Sequence, residues 1–236
     1  MASNEEVQTE EHDTQSDQKR YCYKYPRPAL AVDIALFTFA QEKLQLLLIQ
    51  RKADPFKKEW ALPGGFMEID ETPAQAAQRE LREETGVRNA YIEQLRAFGD
   101  PERDPRTRVV SIAYLALIAT DKLAQSPVLA ADDADDARWW SSHALPRMAF
   151  DHADIVGCAL ERVRTQLASS SLALHLLPEE FTLSNLQRLH EAILDERLDK
   201  RNFRRKVLDM EILEETGNLA RGGHRPARLY RAKHSR

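Results

Sequence analysis

The sequence predicts an α+β chain of two modules: a mixed sheet flanked by helices, then a helix-turn-helix with a basic β-wing. Three observations lead there. Between Ala29 and Leu167, apolar runs of strand length alternate with two stretches of helical period. At Ala168-Ser-Ser-Ser171 the composition changes, and two short amphipathic helices and a glycine hairpin follow. The charge also splits. Residues 181–236 hold 13 Lys and Arg against 8 Asp and Glu, a net +5, while the whole chain carries −4 and the remainder therefore −9. Such an asymmetry suggests two domains, one of them facing a polyanion.

The 236 residues, 42% hydrophobic and 31% charged, suffice for one large or two small domains with a real core. No apolar run approaches the roughly 20 residues of a membrane span. Residues 1–20 are polar and acidic without hydrophobic period, so a disordered tail with no signal-peptide character is expected. Cys22 and Cys158 lie far apart and lack metal-type spacing. A reducing, cytoplasmic location without membrane attachment is the expectation.

Within the first module, taken as residues 21–168, Tyr21 to Pro28 leads in extended because prolines disfavour helix in their predecessors. Ala29–Phe39 and Leu44–Arg51 read as strands joined by a short turn, and Tyr91–Gly99, Thr107–Ala119 and Ala137–Ser141 supply three more. Between Gly99 and Thr107 the charged, proline-broken loop Asp100-Pro-Glu-Arg-Asp-Pro-Arg106 has the character of a functional segment. Asp151–Leu167 returns to helical spacing, with Ile155, Ala159, Val163 and Leu167 on one face.

Residues 61–87 are the chemically richest stretch. Thr72 and Gln75 have capping-box spacing, Pro73 sits where a helix tolerates proline, and Gly86 suits the left-handed residue past the last turn. A helix over Pro73–Thr85 puts Ala74, Ala77 and Leu81 on the buried face, with Glu80 and Glu84 along its edge and Glu83 one step further round. Like charges at these spacings repel by a few tenths of a kcal/mol. A bound cation reverses that sign. Mg²⁺, which takes a few carboxylates, keeps waters and uses substrate phosphates, suits the set.

Gly65, Glu71, Arg79, Glu80, Leu81, Glu83, Glu84, Gly86 and Val87 fill all nine fixed positions of a pattern that resembles the Nudix box. The resemblance implies an α/β/α sandwich and Mg²⁺- or Mn²⁺-dependent hydrolysis of a nucleoside diphosphate linked to another group. It implies that Glu80, Glu83 and Glu84 hold metal, that Arg79 orients a carboxylate and that Glu71 braces the loop. The Gly64–Gly65 backbone would then lie close to phosphate. More weakly, the loop 100–106, the strand Val109–Tyr114, Trp139 and Phe150-Asp-His152 resemble the subgroup that recognises ADP-ribose. In that light Arg103, Arg106 and Arg108 either bind a phosphate or are solvated loop charges. His152 either touches the ligand or starts its helix, and Trp139 is assigned to the core.

In the second module, residues 169–236, Phe181–Leu194 is an amphipathic helix capped by Thr182 or Ser184, with Leu183, Leu186, Leu189 and Ile193 buried. After the turn Asp195–Leu198, a helix over Asp199–Met210 turns Phe203, Val207 and Met210 inward. Lys200, Arg201, Arg204 and Arg205 then project outward. Ile212–Gly217 and the basic Gly222–Arg231 segment complete a winged helix-turn-helix, with Arg225 and Arg228 on the wing. This order predicts binding to double-stranded DNA with strong salt dependence.

Together the box and the winged helix resemble the Nudix-related transcriptional regulators of NAD metabolism. That resemblance implies a ligand-responsive homodimer on an operator, sensing ADP-ribose or a related nucleoside diphosphate. The alternative is an ADP-ribose pyrophosphatase, giving AMP and ribose 5-phosphate, whose C-terminal module serves assembly alone.

Overall fold

The structure, a computed structural model, describes residues 24–123, 134–167, 171–220 and 226–233. The expected acidic tail, Cys22, the serine run 168–170 and residues 221–225, which include Arg225, lie outside the described residues.

The first module is a twisted mixed sheet between helices. Its strands are β1 (Ala29–Ala40), β2 (Lys43–Arg51), β3 (Trp60–Ala61), β4 (Gly64–Phe66), β5 (Tyr91–Phe98), β6 (Val109–Leu117) and β7 (Ala134–Ser141). The order β3-β2-β1-β6-β5 is extended by β7 on β2 and β4 on β1. Among the described strand pairs only β1 and β6 run parallel, from Ala29 opposite Val109 to Phe37 opposite Leu117. Helix α1 (Pro73–Thr85) covers one face and α3 (His152–Gln166) the other, with the single turn α2 (Thr120–Leu123) between β6 and β7. β1 is apolar almost throughout because both its faces are covered. Val32, Ile34 and Leu36 pack under α1, while Ala35 and Phe37 pack under α3.

Two local expectations change. Gly64 and Gly65, not expected in a strand, form the start of β4, pairing with Asp33 and Val32 of β1. On α1, Ala74 is exposed and Ala76 takes the buried place. The buried arc runs through Ala76, Ala77, Glu80, Leu81, Glu84 and Thr85. Glu80 and Glu84 therefore lie within the buried face instead of along its edge. Burying carboxylates is costly unless they are paired, so their partners define the site.

The second module has a 3-10 turn (Leu172–Leu176), β8 (Phe181–Thr182), α4 (Leu183–Leu194), α5 (Lys200–Asp209), β9 (Leu213–Ala220) and β10 (Ala227–Ala232). Its sheet order is β8-β10-β9. Thr182 caps α4 in a reciprocal capping box with Asn185, and Asp199 caps α5 through the Asn202 N–H. The α4 stripe Leu183, Leu186, Leu189 and Ile193 joins the same apolar cluster as Leu46, Leu48, Ile155 and Val163. The two modules thus share one core. Arg188 to Glu42 (2.6 Å), His143 Nε2 to the Ala192 carbonyl (3.1 Å) and Arg164 Nε to the Ile193 carbonyl (3.2 Å) tie the seam. Among the described residues no helix is long and apolar enough to cross a membrane.

Candidate ligand pocket and nucleic-acid interface

The Gly64–Gly65 strand sits directly against α1. A Cβ on Gly65 would stand 2.3 Å from a Glu80 oxygen, and one on Gly64 would meet the Val32 carbonyl at 2.1 Å. Only glycine permits this approach. It lets the Gly64 N–H donate to Glu84 Oε2 at 2.7 Å. Gly86, at φ 72°, closes the helix in the left-handed region and donates its N–H to the Arg82 carbonyl.

Arg79 is the hub of the carboxylates. It donates to both oxygens of Glu71 (3.0 and 2.7 Å), to Glu80 Oε1 (2.8 Å), to Glu83 Oε2 (3.2 Å) and to the Phe66 carbonyl (3.1 Å). Its hydrogen bonds to Glu71, then to Glu80 and Glu83, outweigh desolvation and hold the guanidinium above its usual range. The same contact lowers the Glu71 carboxyl, and burial raises that of Glu80 against the pull of Arg79. The oxygen-only donor set has the chemistry of a hard divalent cation. Among the described residues, however, no three such groups converge on one metal position. Arg79 spreads two of them, and the Gly64 N–H takes one oxygen of the third.

Beside this helix lies a cavity of about 270 Å³, bounded by β1, the end of β2, β4, the loop 100–106 and the start of α3. Glu84, Gly64, Gly65, Arg103, Arg106 and His152 line it, together with Asp33, Arg51, Lys52, Phe66 and Phe150. Arg106 is held by both oxygens of Asp104 (3.0 and 2.7 Å) and lies between the rings of Phe66 and Phe150, 5.8 and 5.7 Å from their centroids. Arg51 covers the same Phe150 ring at 4.8 Å. Burial, and then the neighbouring charge of Arg106, lowers the Arg51 guanidinium. Two arginines so close together favour an anion between them.

Arg103, Arg108 and His152 already have partners within the fold. Arg103 is buried, and its guanidinium goes to Asp151 (2.9 and 2.7 Å) and Asp33 (3.0 Å). It braces the pocket and is committed to carboxylates before any ligand arrives. Arg108 points to the carbonyls of Asp100 and Val109 and does not line the cavity. His152, the first residue of α3, accepts the Leu62 N–H on Nδ1 at 2.9 Å, so its proton resides on Nε2, 3.3 Å from Asp33 Oδ1. Burial would raise the Asp33 carboxyl. His152, Ser111 and Arg103 outweigh that and hold it well below the usual carboxylate range.

Asp33, Arg51, Phe66 and the bracing role of Asp151 escaped sequence reasoning. A basic pair ending a strand before Asp54-Pro55 was the available hint for Arg51. Asp33 interrupts an apolar strand, and a buried acid in such a run requires a partner. Trp139 packs against the α1-side core as expected.

The second module presents its charge differently. Lys200, Arg201, Arg205 and Lys206 are exposed along α5, while Phe203 and Val207 are buried beneath. Arg204 is half-buried and reaches the Ser184 hydroxyl at 3.4 Å, so it is turned toward α4. On the wing, Arg228 pairs with Glu215 at 2.9 Å, and Arg231 pairs with Glu214. Lys206 was not among the expected contacts, although its position one step past Arg205 gave the signal.

Comparison with known proteins accords with both modules. The NUDIX domain family matches residues 27–157 and the NrtR DNA-binding winged helix domain matches residues 173–232. The ADPR responsive transcriptional repressor NtrR of Acinetobacter baylyi is 38% identical over 211 residues, spanning 88% of this chain and 83% of that protein. The crystal structure of Shewanella oneidensis NrtR complexed with a 27mer DNA superposes with a TM-score of 0.76 at 36% identity, covering 86% of this chain and 93% of that one. The NUDIX domain of the same NrtR, complexed with ADP ribose, gives 0.52 at 35% identity over 59% of this chain and 90% of that one. With its glycine-seated carboxylate helix and basic winged helix in one shared core, this chain belongs to the Nudix family, in the branch of NrtR-type transcriptional regulators.

Proposed function

We propose that this protein is a DNA-binding transcriptional regulator whose Nudix module binds ADP-ribose or a closely related nucleoside diphosphate. The carrying observation is the pairing of an arginine- and phenylalanine-walled cavity with an exposed basic helix across one continuous core. The Acinetobacter relative is an ADPR responsive repressor, and the Shewanella one is known in complex with DNA, with its NUDIX domain in complex with ADP ribose; the full-length similarity to both spans both modules.

In this reading Arg51 and Arg106 receive the diphosphate and Phe66 or Phe150 stacks on the base. The exposed Lys200, Arg201 and Arg205, with Lys206, contact operator phosphates and base edges, and Arg228 lies on the wing. The module boundaries are residues 21–168 and 169–236, and the protein acts as a cytoplasmic homodimer on two half-sites. Helix α3 supplies the physical route between sites. Its first residue, His152, lines the pocket, and about 20 Å along the helix Arg164 grips the Ile193 carbonyl near the end of α4.

Hydrolysis is retained as a second capacity. Glu80, Glu83 and Glu84 would hold Mg²⁺ or Mn²⁺ once the ligand's phosphates complete the set, since Mg²⁺ commonly uses one or two carboxylates plus substrate phosphate. The cation supplies charge neutralisation at the phosphoryl oxygens. The chain's own residues seat the diphosphate against Gly64–Gly65, hold Glu71 and Glu80 through Arg79 and keep Asp33 ionised beneath the loop. Calorimetry of ADP-ribose against wild-type and Arg106→Ala protein tests the pocket. The variant is expected to lose at least about tenfold in affinity, roughly 1.4 kcal/mol. Equal affinity would remove Arg106 from the site.

A further inference from the structure

A second cavity, of about 380 Å³, lies where α3, α4 and α5 meet, away from the diphosphate pocket. Its apolar wall is Leu167, Leu194, Leu198, Phe203, Val207 and Met210. An apolar cavity of about 150 Å³ already accepts benzene, whereas ordered water needs two to four polar partners. The leucines and Phe203 give this half-open space an apolar floor on which a ring can pack.

The polar groups on the wall select its charge. His190 stands edge-on to Phe203, with centroids 5.1 Å apart and planes at 72°. Among the described residues, neither of its ring nitrogens has a hydrogen-bond partner, and no carboxylate pairs with Lys206 or Arg164. Asp199 also borders the cavity, but its carboxylate accepts the Asn202 N–H as the cap of α5. Glu196 sits on the rim and is exposed. Arg164 is already bonded to the Ile193 carbonyl. An uncharged occupant leaves Lys206 without a carboxylate and the His190 ring without a hydrogen-bond partner, and a carboxylate supplies both.

We infer that this cavity is a binding site for a small aromatic monocarboxylate, its ring among the leucines and Phe203 and its carboxylate toward Lys206 and His190. The inference stands on the cavity's own geometry and does not need the regulator reading. Any occupant nevertheless touches the inner face of α5 and the last turn of α3. It would report to the basic helix by a route separate from the diphosphate pocket.

The probe is benzoate, titrated into the full chain and followed by saturation-transfer NMR, with benzyl alcohol as the uncharged analogue. Saturable benzoate binding is expected, with benzyl alcohol weaker by about tenfold, or about 1.4 kcal/mol. Lys206→Ala, an exposed position that folding tolerates, should weaken benzoate several-fold. Leu194→Trp should fill the space and abolish it. Arg106→Ala, in the other pocket, should leave it intact. Absence of saturable binding, equal binding of benzyl alcohol, or benzoate binding unaffected by Lys206→Ala would overturn the inference.

Discussion

The two modules use charge in opposite ways. Around the diphosphate pocket the charged groups are already partnered, and most are buried or half-buried: Arg103 with Asp33 and Asp151, Arg79 with Glu71, Glu80 and the exposed Glu83, and the more exposed Arg106 with Asp104. Along α5 the cations stand exposed, with Arg204 turned inward as the exception. Buried pairs hold a geometry, because removing one partner strands the other in low dielectric. Exposed cations have little to do within the fold, since surface pairs contribute at most about 1 kcal/mol. The first pattern prepares a shape for a ligand. The second awaits a polyanion.

Substitutions sharpen that contrast, and the largest effect belongs to the buried network. Arg103→Met should cost about 3–5 kcal/mol of stability by leaving Asp33 and Asp151 without their counter-charge. Denaturant unfolding reads it, and a loss below about 1 kcal/mol, the scale of a surface pair, would mean the network is solvated. Next is Glu84→Gln. If ADP-ribose is cleaved with Mg²⁺, the variant should lose about 10²–10⁴-fold in kcat, and undiminished turnover would relocate the chemistry.

The exposed helix gives a smaller effect of a different kind. Arg201→Ala with Arg205→Ala should weaken operator binding by about 2 kcal/mol and reduce the slope of log K against log salt by about 2. Stability should stay within about 0.5 kcal/mol, as for surface substitutions generally. A stability loss without a change in salt slope would break the comparison.

The smallest expected effect is one of pH. Burial, and then the charge of Lys206, lowers the His190 imidazole from 6.5 to about 4. The unfolded chain then takes up a proton between those values that the folded chain refuses. The corresponding stability is complete above about pH 6.5 and is lost as pH falls toward about 4. Allowing for partial exposure, about 1–2 kcal/mol should disappear over that window, and His190→Phe should flatten it in pH-dependent unfolding curves.

Contiguity decided what could be read from the chain. The nine box positions are a local pattern, as are the Thr72 cap, the Gly86 stop and the face Ile155-Ala159-Val163-Leu167, and the structure has the cap, the stop and the face as expected. The Asp33–Ser111–Arg103–Asp151 network joins residues 48 to 78 positions apart where they meet across elements, and no periodicity announces it. β4 was missed because two adjacent glycines argue against a strand. There, pairing to β1 and the need to approach Glu80 override propensity. The placement of Glu80 and Glu84 shifted for a related reason. Residue hydrophobicity puts carboxylates at the edge of a buried face, whereas the Gly64 N–H and Arg79 make their burial tolerable.

The central claim is that ligand and DNA are coupled through one folded unit. Fluorescence polarisation with labelled double-stranded DNA from upstream of the protein's own operon, at about 0.1 M salt where nonspecific phosphate contacts are weakened, tests it directly. The account predicts specific binding that saturating ADP-ribose weakens, and an equal reduction of ADP-ribose affinity when DNA is bound, since coupling free energy is reciprocal. An operator affinity unchanged by ADP-ribose, in a protein that calorimetry shows to bind it, would contradict the account.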